Sequence, residues 1–287
     1  MRVAIQGEPG SNSHLAVQEM VGNAELVPCS LSVEVFERLA EGAANAAVLP
    51  IENSLHGAVA DHYDLLLNHQ VRIVGERSLR IRHALIAATN VPIEQIERVL
   101  SHPVALSQCR RFFLAHPKCR AVPAYDTAGS VKLVLASGNP AEAAIAAPYA
   151  AEVYGGTILR RDLEDDPQNF TRFLLLVPTA AAPLDTLAAE QPVKASLAFS
   201  IAHRPGSLVY ALSLLAEHGA DLTRIESRPV PGRPWEYVFF VDLRMQSLAG
   251  LDAVLQSLSR ECHFVKELGR YTESVTVETT AAEPARV

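Results

Sequence analysis

Thr171-Arg172-Phe173 sets a hydroxyl and a guanidinium inside the otherwise apolar run from Asn169 to Val177. Such a run reads as a buried strand. Burying those two groups costs free energy unless each has a partner. The chemistry on offer is hydrogen-bond donation from the hydroxyl and bidentate pairing of the guanidinium with a carboxylate. The competing reading is a strand end at which both side chains reach solvent.

Three further polar clusters follow strand-like segments. Gly7-Glu8-Pro9-Gly10-Ser11-Asn12-Ser13-His14 joins a strand to a helix, where free backbone N–H groups and the helix dipole favour an anion, or where a serine simply caps the helix. Pro50-Ile51-Glu52-Asn53-Ser54-Leu55-His56-Gly57 follows a strand ending at Leu49. Ligands of open α/β sheets bind at such carboxyl ends, so Asn53 and Ser54 are placed to hold a polar substrate, with an Asx-turn as the alternative. Ser101-His102-Pro103 comes after another strand, with Gln108-Cys109 on the helix beyond. His102 is a candidate acid or base by residue type, although a lone histidine before proline is more often structural. Cys109 lacks a basic partner and reads as a small buried hydrophobe. Asp61 and Asp64 read as a solvated helix face.

Alternating elements must position these clusters. Strands are expected at Arg2 to Gln6, Glu25 to Cys29, Asn45 to Leu49 and Val71 to Val74, with helices at Ser11 to Val21, Val33 to Glu41 and Ala60 to Leu67. A second block repeats the logic, with strands near Arg98 to Leu100, Ala121 to Pro123 and Ala143 to Ala146, and helices starting near Val104 and Ala128. The alternation predicts mostly parallel sheets in an α/β fold. Extended segments around Glu76 to Ile86 and Leu159 to Val177 suggest two lobes with a cleft between them. Pro178 to Pro192 reads as a linker. Beyond it the pattern becomes βαββαβ: strand Ala195 to Ile201, helix Leu208 to Leu215, strands Leu222 to Pro229 and Tyr237 to Leu243, helix Leu248 to Ser259 and strand Phe264 to Leu268. Pro231-Gly232-Arg233-Pro234 reads as a turn, and the tail after Tyr271 as disordered.

The chain has 287 residues, 49% of them hydrophobic, and a net charge of −7 with dispersed basic residues. That length suggests two domains of about 100–200 residues each. The charge argues against nucleic acid as the main partner, and no apolar run is long enough for a membrane helix. Cys29, Cys109, Cys119 and Cys262 show no metal-ligand spacing and are expected to be reduced thiols in a cytoplasmic protein. No signal-peptide pattern opens the sequence. No motif demands a metal, nucleotide or redox cofactor, so none is expected.

Taken in order, these motifs resemble prephenate dehydratase. The resemblance rests on Gly7-Glu8-Pro9-Gly10 with Ser13, Pro50-Ile51-Glu52-Asn53-Ser54 with Gly57 and Asp64-Leu65-Leu66, Ser101-His102-Pro103 with Gln108-Cys109, Asp126-Thr127-Ala128, Ala143-Ala144-Ile145-Ala146 and Thr171-Arg172-Phe173. Arg204-Pro205-Gly206-Ser207-Leu208, Ile225-Glu226-Ser227-Arg228-Pro229 and Pro234-Trp235-Glu236-Tyr237 resemble the ACT regulatory module of the same enzymes. The resemblance implies an α/β catalytic domain over residues 1–178, two-lobed like type II periplasmic binding proteins. It also implies a linker at 179–193, a ferredoxin-like βαββαβ ACT domain at 194–271 and a tail at 272–287. No helical domain of chorismate-mutase type is apparent, so the monofunctional form is expected.

By the same resemblance the substrate is prephenate, Thr171 is catalytic, and Asn53, Ser54, Ser101, Gln108, Asn169, Arg172 and Phe173 bind substrate. Phenylalanine is the implied effector, held by His203, Gly206, Ser207, Leu208, Glu226, Ser227, Arg228 and Pro229 in a homodimer or homotetramer. His203 and Ser207 depart from the asparagine or aspartate and the alanine usual in that loop. Arogenate dehydratase, which shares most motifs, and a non-catalytic receptor for small acids are the alternatives.

Overall fold

The computed structural model describes residues 1–181, 193–230, 232–233 and 235–273. Most of the expected linker, Pro231 and Pro234 of the expected turn, and residues 274–287 of the expected tail lie outside the described residues.

The first lobe runs β1 (Arg2–Gln6), α1 (Asn12–Met20), β2 (Glu25–Cys29), α2 (Ser32–Ala40), β3 (Ala46–Asn53), the short β4 (Gly57–Ala58), α3 (Ala60–Asn68) and β5 (Val71–Arg80). The chain then enters a second lobe through β6 (Ala84–Ala87), β7 (Arg98–Ser101), α4 (Pro103–Ser107), α5 (Arg110–Ala115), β8 (Arg120–Pro123), α6 (Thr127–Ser137), β9 (Glu142–Ala146), α7 (Pro148–Tyr154) and β10 (Thr157–Arg160). It returns to the first lobe through β11 (Phe170–Pro178). The C-terminal unit contains β12 (Val193–Ser200), α8 (Ser207–Glu217), β13 (Asp221–Pro229), β14 (Tyr237–Met245), α9 (Leu248–Glu261) and β15 (Phe264–Tyr271).

Helix starts follow local side-chain chemistry. The Asp126 carboxylate accepts from Gly129 N at 2.7 Å to open α6, which stops at Gly138 with φ +61°. Ser247 caps α9 in the same way, accepting from Gly250 N at 3.2 Å. These caps satisfy amide groups that the first turn leaves without helical partners.

The sheets are mixed, which corrects the expectation of mostly parallel pairing. Within the lobes β1 pairs parallel with β2 and β3, and β7 with β8 and β9. The crossing strand β11, however, runs antiparallel to both β3 and β5, while β6 runs antiparallel to β9 and β10. The reason is topological: the chain leaves the first lobe along β5 and comes back beside it. β5 also continues unbroken from Val71 to Arg80, so the segment after Val74 is strand rather than connector.

The C-terminal unit has strand order β13-β14-β12-β15, the split βαβ arrangement that its element order predicts. Its sheet does not stand apart. β15 pairs with β5 at Gly269 and Ile73, so one sheet runs β13-β14-β12-β15-β5-β11-β3-β1-β2 through both units. A single apolar cluster spans the junction, joining Tyr63, Leu66, Ile73 and Leu174 to Val238, Phe240, Leu268 and Tyr271. Among the described residues no helix is long and apolar enough to cross a membrane.

Candidate active site

A cavity of about 600 Å³ lies between the lobes at the carboxyl ends of β1, β3 and β7. The first lobe contributes Gln6, Ser11, Asn12, Ser13, Asn53, His56, Thr171 and Phe173, and the second His102, Gln108, Asp126 and Thr127. The concave, largely apolar surface with a few convergent polar groups is typical of a small-molecule site.

Asn53 organises its floor. The two hydrogens of Asn53 Nδ2 are shared among three acceptors, Asn169 Oδ1 at 2.8 Å, Thr171 Oγ1 at 2.9 Å and the Phe170 carbonyl at 3.1 Å. Its Oδ1 accepts from the backbone N–H groups of Leu55 and His56, both at 3.0 Å. The amide therefore cannot rotate without losing bonds at both ends. Because Thr171 Oγ1 accepts from Asn53, its own hydrogen remains to be donated into the cavity.

Gln108, the residue that ends α4, approaches from the other lobe. Its Oε1 can only accept, so the 2.8 Å contact fixes the proton of His83 on Nε2. His83 is 2% exposed, and burial lowers its pKa and favours the neutral ring. Gln108 Nε2 then donates across the cleft to His56 Nδ1 at 3.2 Å. A second cross-cleft latch joins Tyr125 Oη to Glu8 Oε1 at 3.0 Å, with Lys132 3.5 Å from the same carboxylate.

Among the described residues, no lysine or arginine lines this cavity. The N-termini of α1 and α6 reach its wall at Asn12, Ser13 and Thr127, and such termini favour anions, with the α6 terminus already capped by Asp126. Asp61 and Asp126 add carboxyl groups, and burial, reinforced by Glu8, raises the pKa of Asp126.

Asn53, Gln108, Thr171 and Phe173 thus line one cavity. Four other expected substrate ligands do not line it. Arg172 is turned to the opposite face of the sheet, where its guanidinium donates to Glu76 at 2.7 Å, Asp242 at 2.5 Å and Tyr271 Oη at 2.9 Å. Alternation along a strand requires this, since Thr171 and Arg172 are adjacent. Burial lowers the pKa of Arg172, but Asp242, Tyr271 and Glu76 outweigh that effect and hold it above its ordinary value. Ser101 is fully buried and donates to the Ile145 carbonyl at 2.5 Å. Asn169 is fully buried beneath Asn53 and orients it. Ser54 stitches its loop to β11 by donating to the Gln168 carbonyl at 2.8 Å and accepting from Phe170 N at 2.9 Å.

His102 lines the cavity, but its Nδ1 accepts from Val104 N at 3.3 Å as the cap of α4. Burial pushes the Cys109 thiol far up, away from reactive thiolate. Asp64, expected on a solvated face, pairs with Arg228 at 2.7 Å. Glu226 lies 3.4 Å from Arg224, and Gly206 takes the left-handed conformation (φ +85°) that opens α8.

His56, His83 and Asp126 also line the cavity, and the sequence assigned none of them a role there, although Asp126 stands in the Asp126-Thr127-Ala128 motif. His56 carried a weak signal, lying three residues after Asn53 in the same loop. His83 carried none, because only the tertiary fold brings it to Gln108.

A family profile described as prephenate dehydratase matches residues 3–181. Arogenate dehydratase/prephenate dehydratase 2 of Arabidopsis thaliana, a chloroplastic protein, is 38% identical over 290 residues, covering 96% of this chain and 74% of that one. Among solved structures, prephenate dehydratase from Arthrobacter aurescens in complex with L-Phe superposes with TM-score 0.85 at 30% identity, covering 99% of this chain and 94% of the other. A protein described as GqqA, a quorum quenching acylase, also superposes with TM-score 0.85, at 31% identity over 96% of this chain and 98% of its own.

Proposed function

The chain belongs to the prephenate dehydratase family, and we propose that it converts prephenate to phenylpyruvate, carbon dioxide and water in phenylalanine biosynthesis. In that reaction the bond from the ring to its carboxylate breaks and the electron pair enters the ring. The bond to the ring hydroxyl breaks on the opposite carbon, and the departing oxygen takes one proton to leave as water. Aromatisation drives the process, so the protein's tasks are to hold a dianion, donate to the departing oxygen and keep water scarce around the carboxylate.

One observation carries the reading: Thr171 Oγ1 accepts from Asn53 in a cavity reached by two helix N-termini, leaving its own O–H available to donate. Gln108, oriented by His83, supplies a second donor from the facing lobe. Phe173 gives an apolar wall for the ring. Threonine is a very weak acid, so Thr171 acts by donation to developing negative charge.

Arogenate carries an ammonium group where prephenate has a ketone, and it is the second reading. Asp61 and Asp126 at the wall favour tolerance of that cation. The deciding experiment follows the release of phenylpyruvate from prephenate and of phenylalanine from arogenate, comparing kcat/KM. Turnover of neither substrate by folded protein would refute the dehydratase reading.

We further infer that the C-terminal unit is an ACT regulatory domain responding to phenylalanine, with the loop at His203, Gly206, Ser207 and Leu208 and the strand at Glu226, Ser227, Arg228 and Pro229 as effector elements in a homo-oligomer. The relative from Arthrobacter aurescens was solved with L-Phe, which supports the choice of effector. The lone tryptophan, Trp235, is exposed beside this strand and is a natural reporter. Saturating phenylalanine is expected to lower turnover and shift tryptophan emission; a null result in both retires the regulatory role.

A further inference from the structure

Two consecutive rungs of the β3–β11 pairing face opposite ways. Asn53 and Thr171 are register partners and present their side chains to the cavity. The next rung pairs Glu52 with Arg172, whose side chains emerge on the other face of the sheet, against the C-terminal unit. Both members of this rear rung are gripped from there. Arg172 is held by Asp242 of β14 and Tyr271 of β15, and Glu76 of β5 bridges Arg172 to Lys194 of β12, 2.9 Å away. Glu52 forms an ion pair with Arg224 of β13, whose guanidinium lies 4.6 Å from the centre of the Tyr63 ring.

Immediately after this rung the ladder slips. Arg172 opposes Glu52, but Phe173 opposes Pro50, so β3 carries an extra residue there. A bulge interrupts the regular ladder and re-aims nearby side chains. The aim of Asn53 and Thr171 is therefore set partly by what holds the adjacent rung from behind. Asp242 is fixed in turn, since Ser196 Oγ donates to it at 2.5 Å. Removing one member of a buried charge cluster leaves the others unpaired, so the arrangement has little freedom to drift.

We propose that Glu52 and Arg172 are positioning residues for the Asn53–Thr171 pair, and that Asp242 and Arg224 of the C-terminal unit hold them in register. The C-terminal unit is thereby part of the apparatus that aims the Thr171 hydroxyl, with or without an effector. The proposal rests on the dehydratase reading for its kinetic test alone.

The test uses the full chain with Asp242→Asn and Arg224→Gln, which loosen the two sides of the rear rung separately. The control is Lys266→Met, because Lys266 Nζ also crosses to the first lobe, donating to the carbonyls of Leu66, Leu67 and His69, but away from the rung. Displacing a catalytic donor by about 1 Å can cost about 10²-fold, so each rung variant is expected to lose at least about tenfold in kcat with KM unchanged. Amide hydrogen exchange is expected to speed up in residues 50–54 and 169–173 of the rung variants but not in Lys266→Met. Unchanged kcat and exchange in both rung variants would overturn the proposal, as would equal changes in the control. If one rung variant fails to fold, the other decides. If the wild type turns over neither prephenate nor arogenate, the function fails while the exchange comparison still decides the positioning role.

Discussion

At the scale of single residues, the central distinction is between Thr171 and its neighbour. Thr171→Val keeps the branched shape and the strand preference but removes both the acceptor for Asn53 and the proposed donor to the leaving oxygen. Loss of one preorganised donor costs about 10²–10³ in kcat, and that is the expected fall, with a much smaller change in KM. Thr171→Ser, which keeps the hydroxyl, is expected to retain most of the rate. Steady-state kinetics on both variants check this, and near-normal turnover in folded Thr171→Val would remove the residue from catalysis. Arg172 differs in kind: its charge is spent on the rear face, so its loss acts through geometry and stability rather than by releasing a substrate carboxylate.

Among the elements, the joint between β15 and β5 is the least forgiving. A Cβ on Gly269 would lie 2.1 Å from the Ile73 carbonyl oxygen and 2.7 Å from its nitrogen, both backbone atoms that cannot swing aside. Gly269→Ala is therefore expected to pry the two strands apart and destabilise the protein by about 2–4 kcal/mol, measured by denaturant unfolding. A stability loss below about 0.5 kcal/mol, the range of neutral surface changes, would show that the joint is not close-packed in solution. This joint was invisible in the sequence, because a lone glycine in a strand does not say which backbone it approaches. The repeating units were legible, since β1, β2, β3 and the βαββαβ order carry strong local periodicity and turn residues. Strand direction was not: β11 reads the same in either sense until β5 is found beside it. At the cavity, Asn53 was legible as a polar group just beyond an apolar strand, Thr171 as a hydroxyl inside an apolar run, and Gln108 as a polar group on the helix that follows another strand. Ser101 and Asn169 carry the same local signature yet point inward, and that outcome depends on neighbours distant in sequence.

For the molecule as a whole, buried histidines set an acid limit. Burial lowers the pKa values of His14, His62 and His83 in the folded chain. An unfolded histidine takes up its proton near pH 6.5, so between that value and the lower folded values the unfolded state binds more protons. Stability from these groups is complete above about pH 6.5 and is lost as the pH falls through the folded values. Melting temperatures are expected to drop steadily below that point, and His62→Gln, which removes one of the three titrations, is expected to make the drop shallower. A melting temperature that stays flat on acidification would contradict the assignment of neutral buried rings.

The sheet that runs without interruption from β13 to β2 has a consequence for anyone who would exchange parts between relatives. A C-terminal unit grafted from another protein brings its own version of positions 224, 242, 269 and 271, and the recipient lobe keeps positions 52, 73, 76 and 172. A chimera mismatched at these places inherits a dislocated β11 along with its foreign C-terminal unit. The transplant that keeps turnover is the one that moves the whole matched set together.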